Sequence, residues 1–206
     1  MFAPPDAAPG DNRVVTTTPA SRAVVACPDW MESAVDWTRS YAAGAERMRL
    51  TIELARLNVL HATGGPFGAA VFERDTGALI SVGVNSVVRL SNSTLHGEMV
   101  AMMLAEQRLG SFSLADSPLA RYELFSSCDP CAMCLGALLW SGVGRIVLGA
   151  NRADASALGF DEGPVFPESY AYLEARGVEI ERGLLRDDAQ AVLELYRREG
   201  GQIYNK

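Results

Sequence analysis

Apolar residues along this 206-residue chain recur with two periods, one typical of helices and the other typical of strands. Met48, Ile52, Ala55 and Val59 follow one another at intervals of three and four residues. This stripe predicts an amphipathic helix, which the turn Gly64-Gly65-Pro66 should end.

Strand-like segments follow near residues 67–73 and 78–84, and Arg74-Asp75-Thr76-Gly77 between them favours a hairpin turn. A loop rich in Ser and Asn at 85–95 leads to a predicted helix at 96–109. The pattern also predicts strands at 121–126, 145–149 and 178–181, and helices at 130–141, 153–158, 168–176 and 187–199. Helices that alternate with apolar strands imply a layered α/β domain.

The chain before residue 45 is predicted to lie outside this domain. Residues 1–26 contain four prolines and no helical period, which is typical of a disordered tail. Residues 27–44 are predicted to form an extra N-terminal helix, in which Trp30, Ala34, Trp37 and Tyr41 recur at helical spacing. Residues 45–206 then form the main domain.

The formal net charge of −7 argues against binding to nucleic-acid phosphates or to an anionic membrane surface. A small neutral or cationic substrate fits this charge better. No apolar run is long enough to span a bilayer, and the N-terminus lacks the pattern of a signal peptide. We therefore expect a cytoplasmic protein.

Candidate chemistry is concentrated in His96-Gly97-Glu98 and in Pro130-Cys131-Ala132-Met133-Cys134. One imidazole and two thiolates are suitable Zn²⁺ ligands, and three protein ligands leave a fourth position open for a catalytic water. Cys131 and Cys134 lie three positions apart, so on one helix they share a face. Glu98 beside the metal could carry protons as general base and then as general acid.

Three other interpretations remain open at this point. The C-x-x-C pair resembles a thioredoxin-type redox motif. Cys128 could complete a closed structural zinc site of four ligands. In a zinc-stabilised interaction module without enzymatic activity, Glu98 would only be a helix-start carboxylate favoured by the helix dipole.

The motifs also carry a family resemblance. H-x-E followed by P-C-x-x-C is the signature of zinc-dependent base deaminases, and the chain resembles the cytidine and deoxycytidylate deaminase superfamily. Within it, the order of motifs is similar to that of bacterial guanine deaminases. The residues that carry this likeness are 64–69 (GGPFGA), 83–85 (GVN), 96–98 (HGE), 127–137 (SCDPCAMCLGA) and 157–162 (ALGFDE).

The resemblance implies a three-layer α-β-α cytidine deaminase-like fold with a central five-stranded mixed sheet. It also implies a homodimer, in which subunits can exchange C-terminal segments. The implied zinc ligands are His96, Cys131 and Cys134, with Glu98 as the proton shuttle. The implied substrate contacts are Asn85 and the Gly97 backbone as polar partners, Phe67 as an aromatic near the ring, Asp161 as an acidic pocket residue and Tyr204 as a lid.

The chain departs from the guanine deaminase pattern at Gly97, where those enzymes commonly have alanine, and at Ser86, where they often have a second asparagine. The predicted function is zinc-dependent hydrolytic deamination of a small aminated heterocycle, guanine before cytosine or a related base or nucleoside. Zinc-bound hydroxide would attack the amine-bearing ring carbon and release ammonia. Deamination of adenosine in transfer RNA is the alternative with the same motif.

Overall fold

The computed structural model describes residues 21–116 and 121–205. Five strands form one mixed sheet in the order β2-β1-β3-β4-β5. The strands are β1 (Gly68–Glu73), β2 (Leu79–Val84), β3 (Tyr122–Cys128), β4 (Arg145–Ala150) and β5 (Glu179–Arg182). β1 pairs antiparallel with β2 and β3, whereas β3, β4 and β5 run parallel.

Eight helices connect and cover these strands in the described part of the chain. They are α1 (Met31–Ala34), α2 (Gly44–Leu60), α3 (Val87–Leu90), α4 (Gly97–Leu109), α5 (Ala132–Ser141), α6 (Arg152–Ser156), α7 (Pro167–Glu174) and α8 (Arg186–Arg198). None of the described helices combines the length and the apolar character needed to cross a membrane.

Alternation along the strands gives the sheet two apolar faces, and helices cover both. Ala70 and Phe72 of β1 belong to the core that α2 and α8 complete, while Ala69 and Val71 belong to the core under α4 and α5. All residues of the central strand β3 are buried. The predicted three-layer α-β-α arrangement with a five-stranded mixed sheet is therefore confirmed.

Close packing of α4 on the sheet depends on a glycine in β2. A Cβ on Gly83 would lie 2.2 Å from the carbonyl oxygen of Gly97 and 2.5 Å from the amide nitrogen of Ala101. No side chain fits at this distance, so Gly83 lets the start of α4 approach the strand. This approach brings His96 and Glu98 to the edge of the sheet.

The N-terminal region differs from its prediction. Only Met31–Ala34 is helical, and Ser40 instead forms a β-bridge with Ala78. Asp36 accepts hydrogen bonds from the backbone and hydroxyl of Thr38, a local turn that competes with helix. The aromatic residues at helical spacing therefore pack against different partners instead of forming one stripe. Residues 1–20 of the predicted tail lie outside the described residues, and 21–26 form neither helix nor strand.

The other predicted elements are found with small shifts of their bounds. One addition is α3, a short helix inside the predicted loop at 85–95.

Candidate functional site

The loops that adjoin β1, β2, β3 and β4 meet at one edge of the sheet. Phe67 precedes β1, Asn85 follows β2, Cys131 lies three residues after β3, and Asn151 follows β4. These positions meet because β1 runs antiparallel to its neighbours, so its beginning adjoins their ends. The edge at the carboxyl ends of parallel strands is a common place for ligand binding.

His96, Cys131 and Cys134 place one ligand atom each within 4.8 Å of one another. Nδ1 of His96 lies 3.5 Å from Sγ of Cys131, so this ring nitrogen faces the cysteines. One imidazole nitrogen and two sulfurs at this separation match the ligand set of a zinc ion with an open fourth position. The donor chemistry therefore fits zinc.

The two cysteines occupy the start of α5, as the C-x-x-C spacing predicts. Cys131 is the N-cap residue with extended backbone, and Cys134 lies in the first turn. Hydrogen bonding by the Cys134 thiol, together with His96, lowers the pKa of Cys131 to about 4. A thiolate is thus available for metal binding at neutral pH.

Glu98 lies in the first turn of α4, directly after the N-cap residue His96 and Gly97. The extended backbone of His96 explains how two side chains that are two positions apart can flank one point. Oε1 of Glu98 accepts a hydrogen bond from Ser126 Oγ at 3.3 Å, and Oε2 lies 3.5 Å from Cys134 Sγ. Burial, followed by the Cys131 thiolate, raises the pKa of Glu98, which favours a carboxyl group that can hold a proton.

These groups surround a small cavity that leaves space for about one water molecule. Its lining consists of Phe67, His96, Glu98, Asp129, Cys131, Glu162, Tyr204 and Asn205. Tyr204 and Asn205 come from the end of the chain and lie over the other residues. The C-terminal segment thus closes the site of its own chain.

The predicted substrate residues lie at different distances from this cavity. Phe67 lines it and packs edge-to-face on Phe160, with ring centroids 5.0 Å apart. Asn85 is fully buried, and its Nδ2 has no hydrogen-bond partner among the described residues. Gly97 is buried, and a Cβ there would lie 3.2 Å from the carbonyl oxygen of Phe67. Tyr204 covers the cavity, and its buried hydroxyl lacks a partner in the described structure.

The structure places Asp161 outside the cavity lining and Glu162 within it. The side chain of Asp161 is exposed and accepts a hydrogen bond from the Gly163 amide at 2.8 Å. Glu162 is 8% exposed, and burial, followed by the charges of Cys131 and Glu98, raises its pKa to about 7. Sequence reasoning missed this second carboxyl group, although the two residues are adjacent in the quoted 157–162 motif and neighbours in an extended loop face opposite sides.

Cys128 does not join the three-ligand group in the described residues. Its thiol is buried and donates to the carbonyl oxygen of Asn151 at 3.6 Å. Burial raises the pKa of Cys128 well above its usual value, so the group stays a neutral thiol. A closed site with four ligands therefore has no support from this geometry.

Asp129 and Asn205 also line the cavity without having been predicted. Asp129 is ion-paired with Arg182 and accepts from the Arg152 amide at 3.3 Å. Asn205 donates from Nδ2 to the Asp161 carbonyl at 2.8 Å, and its own carbonyl accepts from the Asp161 amide at 3.0 Å. These two bonds hold the end of the chain in place over the site.

Comparison with known proteins agrees with this site. The family model for the cytidine and deoxycytidylate deaminase zinc-binding region matches residues 44–150. The chain is 35% identical over 121 residues to the guanine deaminase of Bacillus subtilis, covering 59% of this chain and 73% of that protein. It is 27% identical over 128 residues to a tRNA-specific adenosine deaminase of Buchnera aphidicola, covering 62% and 77%.

Among solved structures, the guanine deaminase of Nitrosomonas europaea is similar with 41% identity and a TM-score of 0.83, covering 88% of this chain and 99% of that one. A mutant protein solved in complex with 8-azaguanine is similar with the same identity and TM-score, covering 88% and 98%. The family model spans more than half of the chain and contains the three ligands and Glu98. The chain therefore belongs to the cytidine and deoxycytidylate deaminase family.

Proposed function

We propose that this deaminase acts on guanine as a free base. The observation that carries the proposal is the enclosed site, in which a metal-ligand triad, two buried carboxyl groups and an aromatic ring surround one small space. The likeness to guanine deaminases, which extends over 88% of the chain in the Nitrosomonas europaea structure, supports the same substrate.

His96, Cys131 and Cys134 would hold the zinc ion. When bound there, zinc supplies a nucleophile at neutral pH by lowering the pKa of a coordinated water to about 7. Every other step of the reaction is assigned to side chains of the chain itself.

Glu98 is the group that moves protons. Its Oε2 faces Cys134 and its Oε1 is fixed by Ser126, so the carboxyl group is oriented toward the metal ligands. It takes a proton from the water whose oxygen bonds to the amine-bearing ring carbon and delivers this proton to the adjacent ring nitrogen. It then carries the second proton of that water to the exocyclic amine, so the exocyclic C–N bond breaks, ammonia leaves and the water oxygen stays on the ring carbon. The raised pKa of Glu98 suits both directions of transfer.

Glu162 is a second carboxyl group within the same lining. Because its pKa is raised to about 7, it can present a protonated oxygen to a ring atom or to the leaving amine. Its position in the cavity lining supports a role in orienting the base and in proton transfer.

Asn85 and Phe67 are proposed to bind the base. The unpartnered Nδ2 of Asn85 is a buried donor that a substrate carbonyl or ring nitrogen would satisfy. Phe67 offers an apolar ring held by Phe160. The Gly97 backbone is proposed to face a substrate oxygen, and Asp161 keeps its predicted role near the pocket only as part of the loop that presents Glu162.

Tyr204 is proposed to act as a lid. The cavity has space for about one water molecule, so a purine ring enters only when the segment around Tyr204 and Asn205 moves outward. The tilted ring contact with Phe160, with centroids 5.2 Å apart, favours return of the lid once the base is bound. Exclusion of water then strengthens the electrostatic interactions in the site.

Steady-state ammonia release with guanine, cytosine, adenine, their nucleosides and an anticodon stem-loop tests the proposal. Guanine should be the preferred substrate, and activity confined to the stem-loop would refute it. Transfer RNA is the second candidate, favoured by the similarity to the Buchnera enzyme. The net charge of −7 argues against a polyanionic substrate.

We also propose a homodimer formed through α5 and α7. Large apolar side chains are exposed there, with Trp140 80%, Phe166 59% and Tyr172 50% exposed. Analytical ultracentrifugation should show two chains per particle. Mixing inactive Glu98→Gln and Tyr204→Ala proteins should restore activity if the subunits exchange C-terminal segments.

The proposed location is the cytoplasm and the proposed role is in purine metabolism. Three of the four free cysteines lie at or beside the metal site and need a reducing compartment to stay as thiols. Conversion of guanine by loss of its amine would yield xanthine, a product that links the reaction to purine breakdown.

A further inference from the structure

The segment before the family match contacts the loops of the proposed base site. Trp30 lies in this segment, since the match begins at residue 44. Its indole ring stacks on His61 with centroids 5.4 Å apart and planes 11° apart. Its Nε1 donates to Thr63 Oγ1 at 3.0 Å, just before the Gly64-Gly65-Pro66 turn.

The hydrogen bonds from Trp30 through Thr63 to Asn58 all donate in the same direction along the chain of groups. An indole N–H can only donate, so Thr63 accepts from Trp30 and has a single hydroxyl proton to give. Two acceptors lie within reach, Asn58 Oδ1 at 2.7 Å and the Asn58 backbone carbonyl at 3.4 Å, and the proton goes to the nearer Oδ1. With Oδ1 assigned as the acceptor, the Nδ2 group of Asn58 must point the other way, and it donates to the carbonyl oxygens of Gly65 at 2.8 Å and of Asn85 at 3.0 Å.

Those two carbonyls belong to the two loops that border the base site. The backbones of the two loops are in close contact, because a Cβ on Gly64 would lie 1.9 Å from the Asn85 carbonyl oxygen. The hydroxyl of Tyr204 is also close to this turn, at 2.6 Å from a Cβ built on Gly65. Asn58 is fully buried between the loops, so its amide sets their separation.

We propose that Trp30 is a positioning residue for base binding, which acts through Thr63 and Asn58 on the backbone of Asn85. The inference rests on the proposed function, because Asn85 is the residue that would receive the base. Neither Trp30 nor Thr63 lines the cavity or contacts the metal ligands. Loss of the relay should therefore weaken binding of the base and leave the chemical step unchanged.

Two variants interrupt the relay with little change in shape. Thr63→Val removes the hydroxyl group, and Trp30→Phe keeps an aromatic ring over His61 but removes the N–H donor. For both, the KM for guanine should rise about three- to tenfold, the size expected for one hydrogen bond, with unchanged kcat and zinc content. Thr63→Ser keeps the hydroxyl and should restore the wild-type KM.

Trp37→Phe is the matched control, since Trp37 lies in the same segment, is 39% exposed and makes no side-chain hydrogen bond in the described structure. It should behave as wild type. A lower kcat with unchanged KM in Thr63→Val and Trp30→Phe would indicate loss of folded enzyme and would overturn the positioning role. An unchanged KM in both variants would overturn it as well.

Hydrogen exchange tests the relay without any turnover. The amide of Asn85 donates to Phe67 at 2.9 Å, and the amide of Phe67 donates to Gly65 at 2.9 Å, so both report on the contact between the loops. Their exchange should accelerate in Thr63→Val and not in Trp37→Phe. Wild-type protein that does not turn over guanine would refute the proposed function alone, whereas unchanged exchange in Thr63→Val would refute the relay.

Discussion

Replacement of Glu98 by glutamine separates proton transfer from every other role of this residue. The amide has nearly the same shape as the carboxyl group. Its oxygen can accept from Ser126 Oγ, which lies 3.3 Å from Oε1, and its NH₂ group can donate to Cys134 Sγ, which lies 3.5 Å from Oε2. Both neighbours therefore keep a hydrogen-bond partner in Glu98→Gln, with the Cys134 sulfur as acceptor instead of donor, and the ability to carry a proton is lost.

The size of the effect follows from this separation. General acid–base catalysis contributes about 10²–10⁴-fold, which corresponds to about 2.7–5.4 kcal/mol at about 1.36 kcal/mol per tenfold. We expect kcat to fall by this factor, with little change in KM. The melting temperature should stay equal or rise, because the buried carboxyl group costs desolvation free energy when it ionises and the amide does not.

The assay is steady-state ammonia release from guanine, measured together with zinc content and thermal unfolding. Glu106→Gln is the matched control, because Glu106 lies on the same helix α4 but lines no part of the cavity. It should retain wild-type turnover. A Glu98→Gln protein that is folded, holds zinc and turns over guanine within a factor of about three of wild type would refute the assigned role.

Three further predictions concern the metal and the second carboxyl group. Cys134→Ala should lose zinc, whereas Cys128→Ala should retain about one zinc per chain. Metal analysis of the purified proteins measures this. Zinc loss in Cys128→Ala would instead support a four-ligand structural site. Glu162→Gln should lower kcat by at least about tenfold. It should also flatten the pH–rate profile near pH 7, because the pKa of Glu162 is raised to about 7. An unchanged profile would assign the proton transfer to another group. Zinc competes with protons for His96, Cys131 and Cys134, so zinc content should fall as the pH is lowered from 7 toward 4. Zinc content that is unchanged at pH 4 would contradict this ligand set.

The amino-acid sequence by itself determined the chemistry of the metal centre. His96 with Glu98, and Cys131 with Cys134, are close in sequence, so helix-start geometry brings each pair to one point without distant contacts. The alternation of apolar residues likewise determined the strands and the layered α/β class, because period-2 burial is a local property.

Only the tertiary structure decided which groups complete the site. Whether Asp161 or Glu162 faces the cavity depends on how a loop docks against α5, where the Ala132 amide donates to the Glu162 carbonyl at 2.9 Å. The helix predicted for residues 27–44 forms only at Met31–Ala34, and Ser40 pairs with Ala78 in a β-bridge. Local helix propensity carries no information about this bridge. The same holds for Tyr204, which reaches the site through the fold of the C-terminal segment. In each case the deciding contact joins residues far apart in sequence, and its free energy exceeds the small local preferences that a pattern can show.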